Sequence, residues 1–275
     1  MNQVKSICIV GGGTAAWMAA AYFKHNLPSM QITVIDKEIG NSVGVGEGTL
    51  ENFKSFMYEC GFPRSEWFAA ADATFKAGIL YSNWHKEGND IWQPFSMSLP
   101  ITNNLKSVDL WTQAQDLDIN KYTVQAYKIC VEENNLDPSI TYAYHVDCGK
   151  LVGYIQQKLT DKVTFIKSEV VDIIRDSCNF ITSLTLKDGQ TIVADFFVDC
   201  TGFKAILNQA PEKITLEGRL FCDTAVCGRI PYHNRSAEWK PYTVADAVEH
   251  GWIWRIPVQS RLGTGLVFNL SLIHI

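Results

Sequence analysis

The 275-residue chain has no run of about 18 apolar residues, so nothing in it reads as a membrane-crossing helix. It also lacks a basic excess. Against 29 Asp plus Glu stand only 24 Lys plus Arg, a formal charge of −5, which leaves no surplus cation to neutralise nucleic-acid phosphates. Charged residues are sparse at 19% while 47% are hydrophobic, a balance that excludes disorder, collagen-like repeats and coiled coil. Cys-x-x-Cys spacing is absent. The closest cysteines, Cys222 and Cys227, fit neither a zinc knuckle nor a redox motif. Cys8 and Cys200 fall in apolar, strand-like runs where a thiol acts as a small hydrophobe, in keeping with a reducing cytoplasm. His25, His85, His233, His250 and His274 are scattered, so no metal site is proposed. No Pro- or Ser-rich linker appears, and residues 1–275 are taken as one domain.

The N-terminal segment combines signals that are present. Ile7 to Val10 is a short apolar run ending in Gly11, Gly12 and Gly13, followed by the Ala-rich stretch Thr14 to Phe23. Glycines interrupt it too early for a signal peptide. The run reads as buried strand, tight turn and helix, with the dinucleotide fingerprint at Gly11, Gly13 and Ala16. Gly11 permits the turn, Gly13 lets backbone approach a pyrophosphate on the helix N-terminus, and Ala16 allows close helix–strand packing. Thr14 and Ala15 open that helix. A second strand, Gln31 to Ile35, ends in Asp36 and Lys37, where an acid is placed for ribose hydroxyls and disfavours a 2′-phosphate. FAD or NAD is therefore expected over NADP. A glycine turn in a nucleotide-free α/β fold is the plainer alternative.

A second marker separates FAD from NAD. Leu184 to Lys187, Asp188, Gly189 and Gln190 to Val193 read as a hairpin with an Asp-Gly turn. It leads into Ala194 to Asp199, then Cys200, Thr201 and Gly202. This resembles the second flavin-contacting strand of FAD proteins of the glutathione reductase and hydroxylase type, although an ordinary buried strand has the same pattern.

Further segments are more particular. Val43 to Thr49 is glycine-dense around Glu47 and Gly48. Lys76 stands among apolar and aromatic residues between Thr74 and Trp84. Tyr144, His145, Val146 and Asp147 follow, and near the end come Trp252, Trp254, Ile256 and Pro257 in a Trp-x-Trp-x-Ile-Pro element. Over almost the whole chain this combination resembles the flavin-dependent tryptophan halogenases.

The resemblance implies an α/β fold with a Rossmann-like FAD-binding sheet and an interleaved β-rich substrate module. It implies FAD, reduced by a separate, diffusing flavin reductase, with halide as co-substrate and a small aromatic substrate. The flavin set would be Gly11, Gly13, Thr14, Ala15, Ala16, Asp36, Lys37, Glu47, Gly48, Asp199 and Gly202. Chlorine or bromine would pass from a flavin hydroperoxide to hypohalous acid and, directed by Lys76, to tryptophan or another indole. Trp252, Trp254, Ile256 and Pro257 would form the barrier that keeps substrate off the flavin.

The residues alone leave alternatives. A lysine beside Phe75 also suits a snorkelling surface position, and alternating strand tryptophans also fill cores. Glu47 also suits the cap of a helix beginning near Thr49. His145 and Asp147 lack a nearby nucleophile and read as structural. After Gly265 the family's continuation, including a Glu-Ser pair, has no counterpart in Leu266 to Ile275. A C-terminally truncated member that binds FAD weakly is therefore expected. The competing functions are an FAD-dependent aromatic monooxygenase, a catalytically incomplete flavin-binding fragment, and a nucleotide-binding interaction module.

Overall fold

Burial on both faces explains why the first apolar run is continuous and not alternating. In the computed structural model, Ser6–Val10 is a strand whose residues from Ile7 onward are buried. The structure describes residues 4–37, 45–85, 88, 90–95, 100–102, 105–106, 141–208, 216 and 218–272. Most of Asp90 to Pro138, read as shaping the substrate side, lies outside these residues, as do His274 and Ile275. Ser6–Val10 pairs in parallel with Gln31–Asp36 on one side and Phe196–Asp199 on the other. Thr164–Lys167 completes a four-stranded, all-parallel sheet.

The crossover from the first strand to the second is the helix Thr14–Asn26. It buries Ala16, Trp17, Ala20 and Ala21, two i, i+4 pairs on one face, and packs beside the helix Cys148–Leu159. Val170–Arg175, Ile181–Leu186 and Thr191–Val193 form an antiparallel meander. The expected Asp-Gly turn closes its second hairpin, with Gly189 at φ +86°. Leu184 and Leu186 from that meander cluster with Cys8, Val10, Ile35 and Leu207. Burial pushes the Cys8 thiol up to about 12, so it is a packing group and not a nucleophile.

These elements make one of two compact units, comprising residues 1–44, 56–71 and 148–215. The other comprises 45–55, 72–147 and 216–275, and strands dominate the secondary structure of its described residues. Its six-stranded sheet runs Thr224–Ile230, Leu262–Phe268, Gly251–Pro257, Thr243–Val248, Gly78–Ser82, Asp90–Pro94. The pairing is antiparallel except where Thr243–Val248 lies parallel to Gly78–Ser82. A three-stranded sheet places Ala143–Val146 between Glu47–Gly48 and Thr74–Lys76. The Rossmann-like parallel sheet and the interleaved β-rich module agree with the expected fold class. Among the described residues no helix is long and apolar enough to cross a membrane.

Asp195 pins the entry to the central strand. Its carboxylate accepts from the Lys5 and Ser6 amides, each at 2.9 Å, and from Ser6 Oγ at 2.8 Å. These bonds hold its pKa below the ordinary 3.8. Because the folded value is the lower one, the stabilisation is present above the ordinary value and lost as pH falls through the folded one. Urea midpoints of wild type and Asp195→Asn should therefore differ at pH 6 and converge on acidification; a gap independent of pH would contradict this role.

Candidate functional site

The turn after the first strand shapes a cavity of about 400 Å³ lined by Gly11, Gly12, Gly13, Asp36, Lys37, Glu169, Thr201 and Gly202, among others. Gly11 sits at φ +122°, and an added Cβ would overlap the Cys200 carbonyl, so only glycine suits this position. A Cβ at Gly13 would meet nothing within 4 Å and would project into open space. Gly13 is also the helix N-cap and offers no side-chain hydrogen bond. The first-turn amides thus keep donor capacity for an anion at the positive end of the helix. Thr14, Ala15 and Ala16 form that turn, and Ala16 is fully buried against the core. The volume, the uncapped helix end and the acid on the second strand fit the nucleotide portion of FAD.

Asp199 serves this cavity indirectly. Its Oδ1 accepts from the Thr201 amide at 3.0 Å and Thr201 Oγ1 at 2.5 Å, and its Oδ2 from the Leu207 amide at 2.8 Å. The carboxylate therefore organises the Cys200 to Gly202 turn, and that turn lines the cavity. Ser168, Glu169 and Val170 also line it. Ser168 and Glu169 link the strands Thr164–Lys167 and Val170–Arg175, and they went unforeseen because that short link carries no glycine motif.

A second cavity, of about 580 Å³, lies in the β-rich unit around Lys76. Alternation in Thr74–Lys76 sends Thr74 and Lys76 to one face, and both are buried, Lys76 being only 4% exposed. The snorkelling alternative is therefore not what the structure shows. Lys76 Nζ donates to the Thr49 carbonyl at 3.2 Å and lies 5.3 Å from the Phe95 ring centroid. Thr49 is held by its own bonds: its amide and Oγ1 reach the Tyr144 carbonyl at 2.8 and 3.0 Å. Burial lowers the Lys76 pKa, and no described carboxylate forms an ion pair with it.

Glu47 and Gly48, expected in the flavin set, line this second cavity and not the first. They form a short strand against Ala143–Val146, and the next helix begins only at Asn52, so Glu47 does not cap it. Desolvation raises the Glu47 carboxyl above its usual range. A Cβ on Gly48 would stand 2.8 Å from Lys76 Nζ. His145 is fully buried beside Thr74. Asp147 is buried and pairs with Arg261 at 2.6 Å.

Trp252 and Trp254 both line the lysine cavity, with ring centroids 5.8 Å apart, as alternation along an extended strand requires. The residues paired with them across the sheet include Ala247, Ala245 and Gly265, which leave room for the indoles. A Cβ at Gly265 would overlap the Trp254 ring. Ile256 lines the same cavity, while the Pro257 carbonyl accepts from Thr74 Oγ1 at 2.6 Å. Trp84 extends the wall: its ring lies 6.3 Å from that of Trp252, and Nε1 donates to the Ala245 carbonyl at 2.9 Å. Trp84 and Thr243 were not among the foreseen site residues. The strand carrying Thr243 joins the cavity by a long-range parallel pairing that has no local signature. Among the described residues no group of His, Cys, Asp or Glu is arranged to hold a metal.

A parallel sheet with a glycine turn open to a nucleotide, joined in sequence to a β-rich module, defines a nucleotide-binding α/β protein. The comparisons give the family. The model for tryptophan halogenases matches residues 6–274, and the chain belongs to that family, whose enzymes use FAD and halide. It is 28% identical over 298 residues to the tryptophan 6-halogenase ThaL of Streptomyces albogriseolus, covering 98% of this chain and 56% of that protein. To the tryptophan 7-halogenase RebH of Lentzea aerocolonigenes it is 29% identical over 297 residues, covering 98% and 56% respectively. Among solved structures, Xcc4156, a flavin-dependent halogenase from Xanthomonas campestris, matches with a TM-score of 0.87 at 29% identity, over 98% of this chain and 57% of that one. The chain thus spans little more than half the length of these relatives.

Two outcomes follow from the geometry. Gly11→Ala should cost about 1–3 kcal/mol through its backbone conformation and weaken FAD binding more than about tenfold, read by urea unfolding and flavin fluorescence titration. Lys76→Met should raise stability, since it removes a buried ammonium. Screening at the cavity mouth keeps the gain on the order of 1 kcal/mol, about 2–4 °C in Tm. Calorimetry showing a loss of stability would mark the lysine as structural.

Proposed function

We propose that this protein is an FAD-dependent halogenase that installs chlorine or bromine on an electron-rich aromatic ring such as tryptophan or another indole. Hypohalous acid directed by Lys76 is the halogen donor. The observation that carries this reading is the buried Lys76 ammonium, held by a backbone carbonyl in a cavity walled by Trp252 and Trp254. Membership of the tryptophan halogenase family supports it. The relatives named above are a tryptophan 6-halogenase and a tryptophan 7-halogenase, so an indole is the first substrate class to test.

In this reading Gly11, Gly13, Thr14, Ala15, Asp36 and Lys37 hold the cofactor's pyrophosphate and ribose, and Ala16 seats the helix that presents the amides. Gly202 forms part of the cavity rim, kept in place by Asp199. Reduced FAD, when bound, supplies with oxygen the oxidising equivalents that turn halide into hypohalous acid. A separate flavin reductase delivers the reduced cofactor, and the reaction runs in the cytoplasm. Lys76 donates a hydrogen bond to the oxygen of the hypohalous acid and so aims its halogen at an aromatic carbon. Trp252, Trp254 and Ile256 exclude water and bar the organic substrate from the flavin, while the Pro257 carbonyl anchors the end of their strand. We further propose that residues 1–275 act as one domain, because the chain crosses between its two units after residues 44, 55, 71, 147 and 215.

The direct test supplies the full chain with FAD, a flavin reductase, chloride or bromide and an indole panel, with products read by mass spectrometry. Halogen isotope patterns are the expected result. Hydroxylated product would instead favour the monooxygenase, and FAD binding without product the incomplete fragment. Lys76→Ala should keep FAD affinity within about twofold and lose halogenation by at least about 100-fold, the scale of removing one positioned group. Continued turnover by that variant would overturn the assignment.

A further inference from the structure

His145 has every polar valence accounted for, and the chain of bonds has a direction. The Pro257 carbonyl is only an acceptor, so Thr74 Oγ1, 2.6 Å away, donates to it. Having spent its proton there, Thr74 Oγ1 accepts from His145 Nδ1 at 3.0 Å. The imidazole is therefore protonated at Nδ1. Full burial, and secondarily the charge of Lys76, hold the ring in its neutral form. Nε2 is then a bare lone pair, and its partner at 2.9 Å, Thr243 Oγ1, donates to it. Thr243 lines the same cavity as Lys76. With its proton directed at His145, its hydroxyl has only lone pairs left to offer.

We propose that Thr243 is a further residue of the lysine cavity that accepts a hydrogen bond from hypohalous acid, with His145 the positioning residue that fixes its polarity. This rests on the reading of Lys76 given above. The acid is then held from both sides. Lys76 donates to its oxygen, Thr243 accepts from its hydrogen, and the halogen is left unbonded and electrophilic. When an aromatic carbon attacks the halogen, a ring π pair forms the carbon–halogen bond and the oxygen–halogen pair stays on oxygen. The Lys76 ammonium protonates that oxygen and water leaves. The proton shed by the ring carbon restores the ammonium through solvent. Arene plus hypohalous acid becomes haloarene plus water, with no further oxidant or reductant.

Two measurements test this without flavin turnover. The first is the imidazole ¹⁵N spectrum of the wild-type chain, in which His145 should be protonated at Nδ1 alone. Protonation at Nε2, or at both nitrogens, overturns the proposal. In the second, the full chain, its reactive thiols alkylated beforehand, receives a substoichiometric dose of hypochlorous acid. N-chlorination, in which the neutral-amine fraction of a lysine takes the chlorine and water leaves, is then read for each lysine by mass spectrometry under reductant-free conditions. Lys76 should react ahead of the other lysines in wild type and in Thr243→Ser. Thr243→Val should lower its share about fivefold, the scale of one lost hydrogen bond. An unchanged share in Thr243→Val overturns the role of Thr243 and leaves that of Lys76 standing. No preference for Lys76 in wild type overturns the Lys76 reading and this proposal with it. The tautomer measurement needs no variant, so a fold defect in Thr243→Val does not remove the test.

Discussion

A lysine ammonium taken out of water needs acceptors, because its lost hydration is worth more than packing alone returns. At Lys76 the described surroundings supply a carbonyl and an aromatic face and no ion-paired carboxylate. Much of the β-rich unit follows from that constraint. The Thr49 carbonyl points at Nζ because Thr49 is tied by amide and hydroxyl to Tyr144. Gly48 is bare where a side chain would crowd the ammonium. An ion-paired carboxylate would have stabilised the charge and also bound its protons. Without one, the donors remain available to a ligand, and the low-polarity wall strengthens whatever bond they make.

The wall depends on what stands opposite it. Trp254 has room because Ala245 and Gly265 occupy the paired positions on both flanking strands, while Trp252 stands between Ala247 and Val267. A larger residue at Gly265 would collide with the Trp254 ring. Thr74 and His145 tie the lysine strand to the end of the tryptophan strand through the Pro257 carbonyl, and His145 reaches on to Thr243. Lysine, indoles and hydroxyl thus belong to one hydrogen-bonded frame. Buried polar networks of this kind rigidify a site when every member is satisfied.

The nucleotide cavity is built differently. Its key contacts come from backbone, through a left-handed Gly11, a side-chain-free Gly13 and a turn stitched by Asp199. Such features lie in short consecutive stretches, so they were readable in advance: the glycine pattern, the acid after the second strand and the Asp-Gly hairpin stand where expected. Asp199 marks the limit of such reading, since a carboxylate after a strand looks the same in sequence whether it faces a ligand, its own loop or both. Glu47 shows the same ambiguity. A glycine-dense stretch announces close packing without saying what it packs against, and strand pairing assigned it to the lysine cavity.

The amino-acid sequence by itself determined the buried parallel sheet, the glycine turn, the aromatic pair on one face and the family. Each of these is a demand made by neighbouring residues on local backbone or on strand alternation. Only the tertiary structure decided that Lys76 is buried and not snorkelling, that the Thr49 carbonyl holds it, that Trp84 and Thr243 share its cavity, and that His145 has a defined tautomer. Those facts depend on the register between strands far apart in the chain. Register is set by the packing of the whole unit and leaves no mark in any one segment.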